Sequence, residues 1–181
     1  MAVKPGELAR FPGPRALPIL PEGLSGIELP GARQADLPML VALHHAARMP
    51  ELLFAPWPPE RKRAFLDEQF ALQHNHFVRT HRQGDFRLIL QEGKPAGRIY
   101  FDRSGREWAL IDILLAAEAR GHGVGGALIG WLQRAAREAG ADGLRLSVAY
   151  NNPRAHALYL RLGFADAGDL AGTHAAMVWR P

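Results

Sequence analysis

The sequence predicts one α/β (α+β) domain, with a mixed, mostly antiparallel central sheet and helices on both faces. Three observations predict it. Strand-length apolar segments at 86–90, 96–101 and 107–115 follow one another through two short loops, and loops that short join antiparallel neighbours. A helix-periodic segment then separates the 107–115 strand from another at 144–148, which is the spacing of a parallel crossover. Amphipathic helical segments lie both before the first hairpin and after the crossover, so both faces of the sheet can be covered.

The 181 residues are one domain's worth of chain, and 48% apolar with 22% charged residues is the balance of a globular protein. The absence of cysteine removes disulfides, thiolate nucleophiles and cysteine zinc sites. No apolar run approaches the roughly 20 residues of a membrane span. Pro5, Pro12, Pro14, Pro18 and Pro21 break up any signal-peptide core, so a cytoplasmic location away from membranes is expected. The formal charge is +4, and lysine stands only at Lys4, Lys62 and Lys94, the other basic residues being arginine. Because the arginines are scattered, a solvated surface explains them better than a nucleic-acid footprint does.

Residues 1–26 read as a Pro/Gly-rich N-terminal arm, extended or mobile, with the folded domain over 27–181. Residues 26–29 read as a short strand. Asp36 is placed to cap a helix reaching Arg48, whose apolar positions Leu37, Leu40, Val41 and Ala47 keep the 3.6-residue period. The connection over 52–59 carries Leu52, Leu53, Phe54 and Trp57 among prolines. It is too broken for a helix and is expected either to line an apolar pocket or, as the preferred reading, to pack on the core. From Glu60 to Arg79, Phe65, Leu66, Phe70, Gln73 and Phe77 recur at helical spacing. After the hairpins, Val124, Ala127, Leu128, Trp131, Leu132, Ala135 and Ala139 trace a helix face that Gly140 ends. Leu144, Leu146 and Val148 alternate with Arg145 and Ser147, as in a half-buried strand. Asn152 before Pro153 is the favoured order of N-cap and first helical residue. Ala155, Leu158, Tyr159 and Leu162 share a face before Gly163, and a last strand follows over 175–179.

The chemistry concentrates where the 107–115 strand gives way to Gly121, Gly123, Gly125 and Gly126. Glycines let a backbone approach a phosphate closely, and the unpaired N–H groups of a first helical turn point at whatever sits there. This is read as a pyrophosphate cradle. Gly121, Gly123 and Gly126 also fit the G-x-G-x-x-G fingerprint, which would suit a nicotinamide-dinucleotide-binding oxidoreductase. That fingerprint follows its strand at once, within a sheet of parallel strands; here five residues intervene after Leu115 and hairpins precede it. No Lys-Ser/Thr follows the glycines, which excludes a Walker P-loop.

Arg120-Gly-His-Gly-Val-Gly125 resembles the Arg/Gln-x-x-Gly-x-Gly/Ala signature of the GNAT superfamily of acetyl-CoA-dependent N-acetyltransferases. Asn152-Pro-Arg-Ala155-His-Ala-Leu158-Tyr159, followed by Gly163-Phe164, resembles that family's Asn-x-x-Ala-x-x-Leu-Tyr and Gly-Phe. The resemblance is sharp over 86–179 and loose over 26–83. It implies a GNAT-like fold and transfer of the acetyl group of acetyl-CoA to a primary amine by direct attack in a ternary complex. It assigns the main chain of Gly121, His122, Gly123, Val124, Gly125 and Gly126 to the pyrophosphate, with Arg120 beside them. It assigns the backbone of Ile113, Leu114 and Leu115 to the pantetheine arm and to polarising the thioester carbonyl. Tyr159 matches a tyrosine near the cofactor sulfur; with a free pKa near ~10, a phenol there is a proton donor at neutral pH. Asn152 matches a position that contacts the cofactor, besides being an N-cap.

An amine with a pKa near ~10.4 must lose a proton before it attacks. Asp112 is the first candidate acceptor. Relatives carry an acidic pair here, whereas this chain has Ile111 in the preceding position. Strand alternation sets Asp112 with Trp108, Leu110 and Leu114, where a carboxylate is either hydrogen-bonded structure or a site group. Glu68, on a helix that borders the acceptor site in relatives, is the second candidate, against the plainer reading of a solvated carboxylate. His44 with His45, and His74 with His76, are wrongly spaced to share a helix face, so no metal site is expected. The acceptor, a small-molecule amine or a protein or peptide amine, is specified by no motif, and a homodimer stays open. A catalytically silent acyl-CoA-binding module would carry the same motifs.

Overall fold

The computed structural model describes residues 8–181; residues 1–7, the start of the expected arm, lie outside the described residues. Seven strands form one sheet in the order β1-β2-β3-β4-β5-β7-β6. They are β1 (Ile27–Glu28), β2 (Asp85–Gln91), β3 (Lys94–Asp102), β4 (Glu107–Leu115), β5 (Gly143–Ala149), β6 (Ala165–Leu170) and β7 (His174–Trp179). Of the neighbouring pairs only β4 and β5 run parallel. The α-helices of the described residues are α1 (Leu37–Arg48), α2 (Pro59–Thr80), α3 (Val124–Glu138) and α4 (Pro153–Arg161).

Each sheet face has its own apolar core. On one, α3 and α4 bring Leu128, Leu132 and Tyr159 against Ile99, Phe101, Leu144 and Met177. On the other, α1 and α2 bring Leu40, Phe70 and Val78 against Phe86, Leu88 and Tyr100. The described part of the arm joins both: Leu8 and Phe11 belong to the α1–α2 core, Leu17, Leu20 and Leu24 to the α3–α4 core. Between them Arg15 binds the buried Asp85 at 2.8 Å, and Trp131 Nε1 donates to the Ile19 carbonyl at 3.2 Å. The segment is extended as its prolines dictate, but it is packed and hydrogen-bonded from Leu8 onward.

Three local features depart from the sequence expectations. Asp36 does stand at the N-cap of α1, yet its carboxylate accepts the Arg33 N–H at 2.7 Å and makes no side-chain cap bond to α1. A preceding 3₁₀ turn, Gln34–Asp36, has claimed it. The 52–59 connection does not pack on the core: Leu53 is 67% and Phe54 94% exposed, and Trp57 turns instead onto Phe65, with Arg61 over its ring. Prolines on both sides hold this stretch in turns that carry it off the sheet. Finally, β6 has no counterpart in the sequence pattern. All six residues are exposed, so no alternation marks it, and it is a strand because β7 pairs with it as the edge of the sheet.

Candidate functional site

The site is made by two strands that part. β4 and β5 pair only at Glu107–Gly143, Trp108–Leu144 and Ala109–Arg145. Beyond that point β4 stays with β3 as far as Leu115, and β5 stays with β7 as far as Ala149. From Leu110 on, the β5-facing edge of β4 therefore has no strand partner. A cavity of about 310 Å³ opens there, lined by Asp112, Ile113, Asn152 and Tyr159 among others.

A β-bulge decides what faces this gap. Tyr100 pairs with Asp112 but Phe101 with Leu110, leaving Ile111 as the extra residue of β4. An extra residue reverses the alternation beyond it. Trp108 and Leu110 accordingly lie in the α3–α4 core, Ile111 packs with the α1–α2 core, and Ile113 and Leu115 return to the α3–α4 side. The uninterrupted alternation expected from sequence, with Asp112 beside Trp108 and Leu110, is thus corrected: Asp112 faces α2. There Arg98 Nε donates to Asp112 Oδ2 at 2.7 Å and Arg98 Nη2 to Gln73 Oε1 at 2.9 Å. The guanidinium lies over the Tyr100 ring, 5.4 Å from its centroid. Asp112 is hydrogen-bonded structure and a lining group of the cavity at once.

Tyr159 reaches the same cavity from the other face, as the gap passes between the strands. It is 8% exposed, packs 5.8 Å from the Phe164 ring, and burial pushes its phenol up to about 12, with the negative charge of Asp112 adding to the effect. A proton therefore stays on this oxygen through the neutral range. Asn152 caps α4, its Oδ1 accepting the Ala155 N–H at 3.2 Å, and Gly163 at φ +82° ends the helix, with the Phe164 N–H returning to the Tyr159 carbonyl. Both ends of α4 are thus tied, which holds Tyr159 at the gap.

The cradle lies at the far end of β4. After a 3₁₀ turn, Ala117–Ala119, the chain enters α3 through Gly121 at φ +83° and the N-cap Gly123 at φ +80°. These two positions need glycine for conformation, since open space surrounds both. Gly125 and Gly126 instead face Leu115 and Leu158 at ordinary contact distance. No side chain caps α3; the Ala127 N–H, donating to the Gly123 carbonyl, makes the first bond of the helix, and the preceding amides are left for an external acceptor. Arg120 folds back so that its Nε donates to the Leu115 carbonyl at 2.8 Å, keeping a guanidinium beside the turn, and His122 is exposed within it.

Other candidates lie elsewhere. Glu68 is exposed on α2 and lines neither this cavity nor the larger one beside it. His44 is buried against Phe70, its pKa lowered to about 4 by burial and by Arg98, Arg48 and His45, while His45 turns to Asp67. His74 Nε2 bonds the Ala9 carbonyl, and His76 is exposed. Among the described residues no three metal-ligating side chains gather, and no helix is long and apolar enough to cross a membrane. Arg98, Gln73 and His174 join the site without any motif to announce them. Pairing across β3 and β4 brings Arg98 to Asp112, and that is invisible along the chain.

The acetyltransferase (GNAT) family model matches residues 46–164. Among solved structures, a PaiA N-acetyltransferase from Thermoplasma acidophilum in complex with coenzyme A has the same fold at 16% identity, covering 86% of this chain and 99% of its own, with a TM-score of 0.66. An acetyltransferase from Thermus thermophilus follows at 18% identity, 87% and 99% coverage and a TM-score of 0.63. A spermidine N-acetyltransferase from Vibrio cholerae, in complex with CoA and spermine, has 19% identity, 86% and 96% coverage and a TM-score of 0.59. No curated protein sequence matches the chain. The match spans well over half the sequence and includes the glycine turn, the parted strands and α4, and the chain belongs to the GNAT family of acetyltransferases.

Proposed function

We propose that the protein transfers the acetyl group of acetyl-CoA to a primary amine by direct attack within a ternary complex. One observation carries this reading: the edge of β4 left unpaired beyond Ala109 has the protonated Tyr159 beside it in one cavity and the uncapped N-terminus of α3 against its Leu115 end. These residues fit coenzyme A. The first-turn amides of α3, with Arg120, suit the pyrophosphate, and the unpaired edge at Ile113, Leu114 and Leu115 suits the amide-bearing pantetheine arm. Asn152 caps α4 through its Oδ1, which holds Tyr159 in place, and lines the cavity with its amide N–H groups left to contact the cofactor. The dinucleotide alternative lacks the parallel sheet its fingerprint requires.

Acetyl-CoA supplies an activated thioester when bound; the chain supplies orientation and protons. The N–C bond forms as the C–S bond breaks. The phenol of Tyr159 is the proton donor for the departing sulfur, and Asp112 is the acceptor for the proton the ammonium loses. Arg98 holds one oxygen of Asp112, and the other has no protein partner among the described residues, so the carboxylate is fixed with one oxygen available. Its charge also favours an ammonium in the cavity.

Calorimetry with acetyl-CoA and thiol release across a panel of amines test the proposal. Tyr159→Phe is expected to lower kcat about 10- to 100-fold, within or just below the range attributed to a positioned acid, with acetyl-CoA affinity nearly unchanged. Equal turnover in both forms would return Tyr159 to a packing role. Binding without thiol release for any amine would mark a silent acyl-CoA-binding module.

A further inference from the structure

The Asp112–Tyr159 cavity continues over the sheet into a second one of about 410 Å³; Phe77, Leu110, Ile111, Leu146 and Ser147 line both, so the two form one groove. α2 walls one side with Phe77, and the floor of the outer part is apolar or small, with Ala109, Ile111, Ala176 and Val178. At the outer end stand Arg145 and Arg180. Their one acidic neighbour in the groove is Glu107, which accepts from Arg180 Nη1 at 2.8 Å and lies 3.8 Å from Arg145 Nε. Arg180 also donates to the Asp142 carbonyl. One carboxylate thus serves two guanidiniums, which between them carry about ten N–H donors. The remaining titratable groups lining it are His76 and His81 on α2, the latter held by Asp102 at 2.9 Å; the Asp142 carboxylate, which also feels the charge of Arg180, is paired with Arg106 at 2.8 Å and does not line the groove. At the inner end Asp112 is held by Arg98 through Oδ2, which leaves its other oxygen for the amine.

On the acetyl-transfer reading, we infer that the acceptor is an amine carrying a carboxylate. The amine lies at Asp112 and Tyr159, an apolar spacer on the groove floor, and the carboxylate at Arg145 and Arg180. The spacing follows from register. Arg145 is paired with Ala109, three residues before Asp112 on β4. At roughly 3.3 Å per residue, less what the Ile111 bulge takes up, the backbone positions of the two ends lie within about 10 Å of each other along the strands. A polyamine would instead place its second ammonium against two guanidiniums. This chain shares a fold with the spermidine N-acetyltransferase, and the outer end of its own groove is lined by two arginines.

The test compares unbranched ω-amino acids, α,ω-diamines and monoamines of matched chain length as acceptors, using the full chain saturated with acetyl-CoA. The ω-amino acids are expected to show kcat/KM about tenfold above the matched diamines, carried by KM, as one charge-assisted contact would give. Arg145→Ala or Arg180→Ala should bring that ratio to about one, and Arg145→Glu should invert it, in proteins whose thermal unfolding matches the parent. A diamine preferred by the parent, or a ratio unmoved in all three variants, overturns the inference. Thiol release with none of the three amine classes, although acetyl-CoA binds, overturns acetyl transfer itself and the acceptor assignment with it.

Discussion

The pairing of Arg98 with Asp112 leads to an asymmetric prediction. The Arg98 side chain is 3% exposed and its guanidinium is held by Asp112 and Gln73 beneath α2; the Asp112 side chain is 19% exposed and borders a cavity open to water. Breaking a buried pair costs about 3–5 kcal/mol, most of it from stranding the surviving charge away from solvent. In Asp112→Asn the stranded charge is the arginine, which has nowhere to rehydrate, so the full cost of about 3–5 kcal/mol is expected. In Arg98→Met the stranded charge is the aspartate, which the cavity can hydrate, and about 1–2 kcal/mol is expected. Arg98→Met with Asp112→Asn leaves no charge behind and should recover most of the larger loss, giving a coupling of about 3 kcal/mol or more. For a chain of this size the larger loss corresponds to a fall in Tm of about 6–20 °C. Urea unfolding at neutral pH is the assay, followed by the fluorescence of the buried Trp108, Trp131 and Trp179, with the slope m checked for constancy. The reasoning is refuted if Arg98→Met proves the costlier single change, or if both cost under about 1 kcal/mol.

Three more outcomes follow from the same structure. Burial alone would raise Asp85, but Arg103, Arg15 and Arg87 outweigh it and hold the carboxyl below its usual range. Its contribution is therefore present above the unfolded value of about 3.9 and lost as pH falls through the lower folded value. The stability gap between the parent and Asp85→Asn should be about 3–5 kcal/mol near neutrality and close below about pH 4, and a gap that persists at low pH contradicts the assignment. Gly123→Ala forces an L side chain to φ +80° at the mouth of α3, whereas Gly140→Ala does so at φ +68° beyond the other end. Each costs about 1–2 kcal/mol of stability, but only the first should weaken acetyl-CoA binding, by about tenfold in calorimetry; equal effects on binding would dissociate the cradle from the glycine turn. Phe54→Ser should change stability by no more than about 0.5 kcal/mol, as a 94% exposed side chain implies, and a loss above about 2 kcal/mol would show that the loop packs after all.

The strands from Asp85 to Leu115, the four α-helices and the glycine turn were legible along the chain because each is written locally, in an apolar period, a cap or a left-handed position. Gly121, Gly123, Asn152 and Gly163 do what their residue types suggest. β6 could not be read, because an edge strand with every side chain exposed has no period and owes its conformation to its partner. The loop at 52–59 misled for a related reason. Apolar composition reports a tendency to be buried, but the flanking prolines decide where the chain can go.

At the candidate site the division is sharper. The sequence by itself determined the family, the helix mouth suited to a phosphate and the tyrosine on α4, because each rests on residues close together in the chain. Only the tertiary structure decided what Asp112 faces. The extra residue at Ile111 exists as a bulge solely through the register of β4 against β3, and that register turns the carboxylate towards Arg98. The parting of β4 from β5, which lets groups from opposite faces of the sheet meet in one cavity, is likewise a property of strand pairing. Side-chain period is local, whereas register is a long-range choice made by packing.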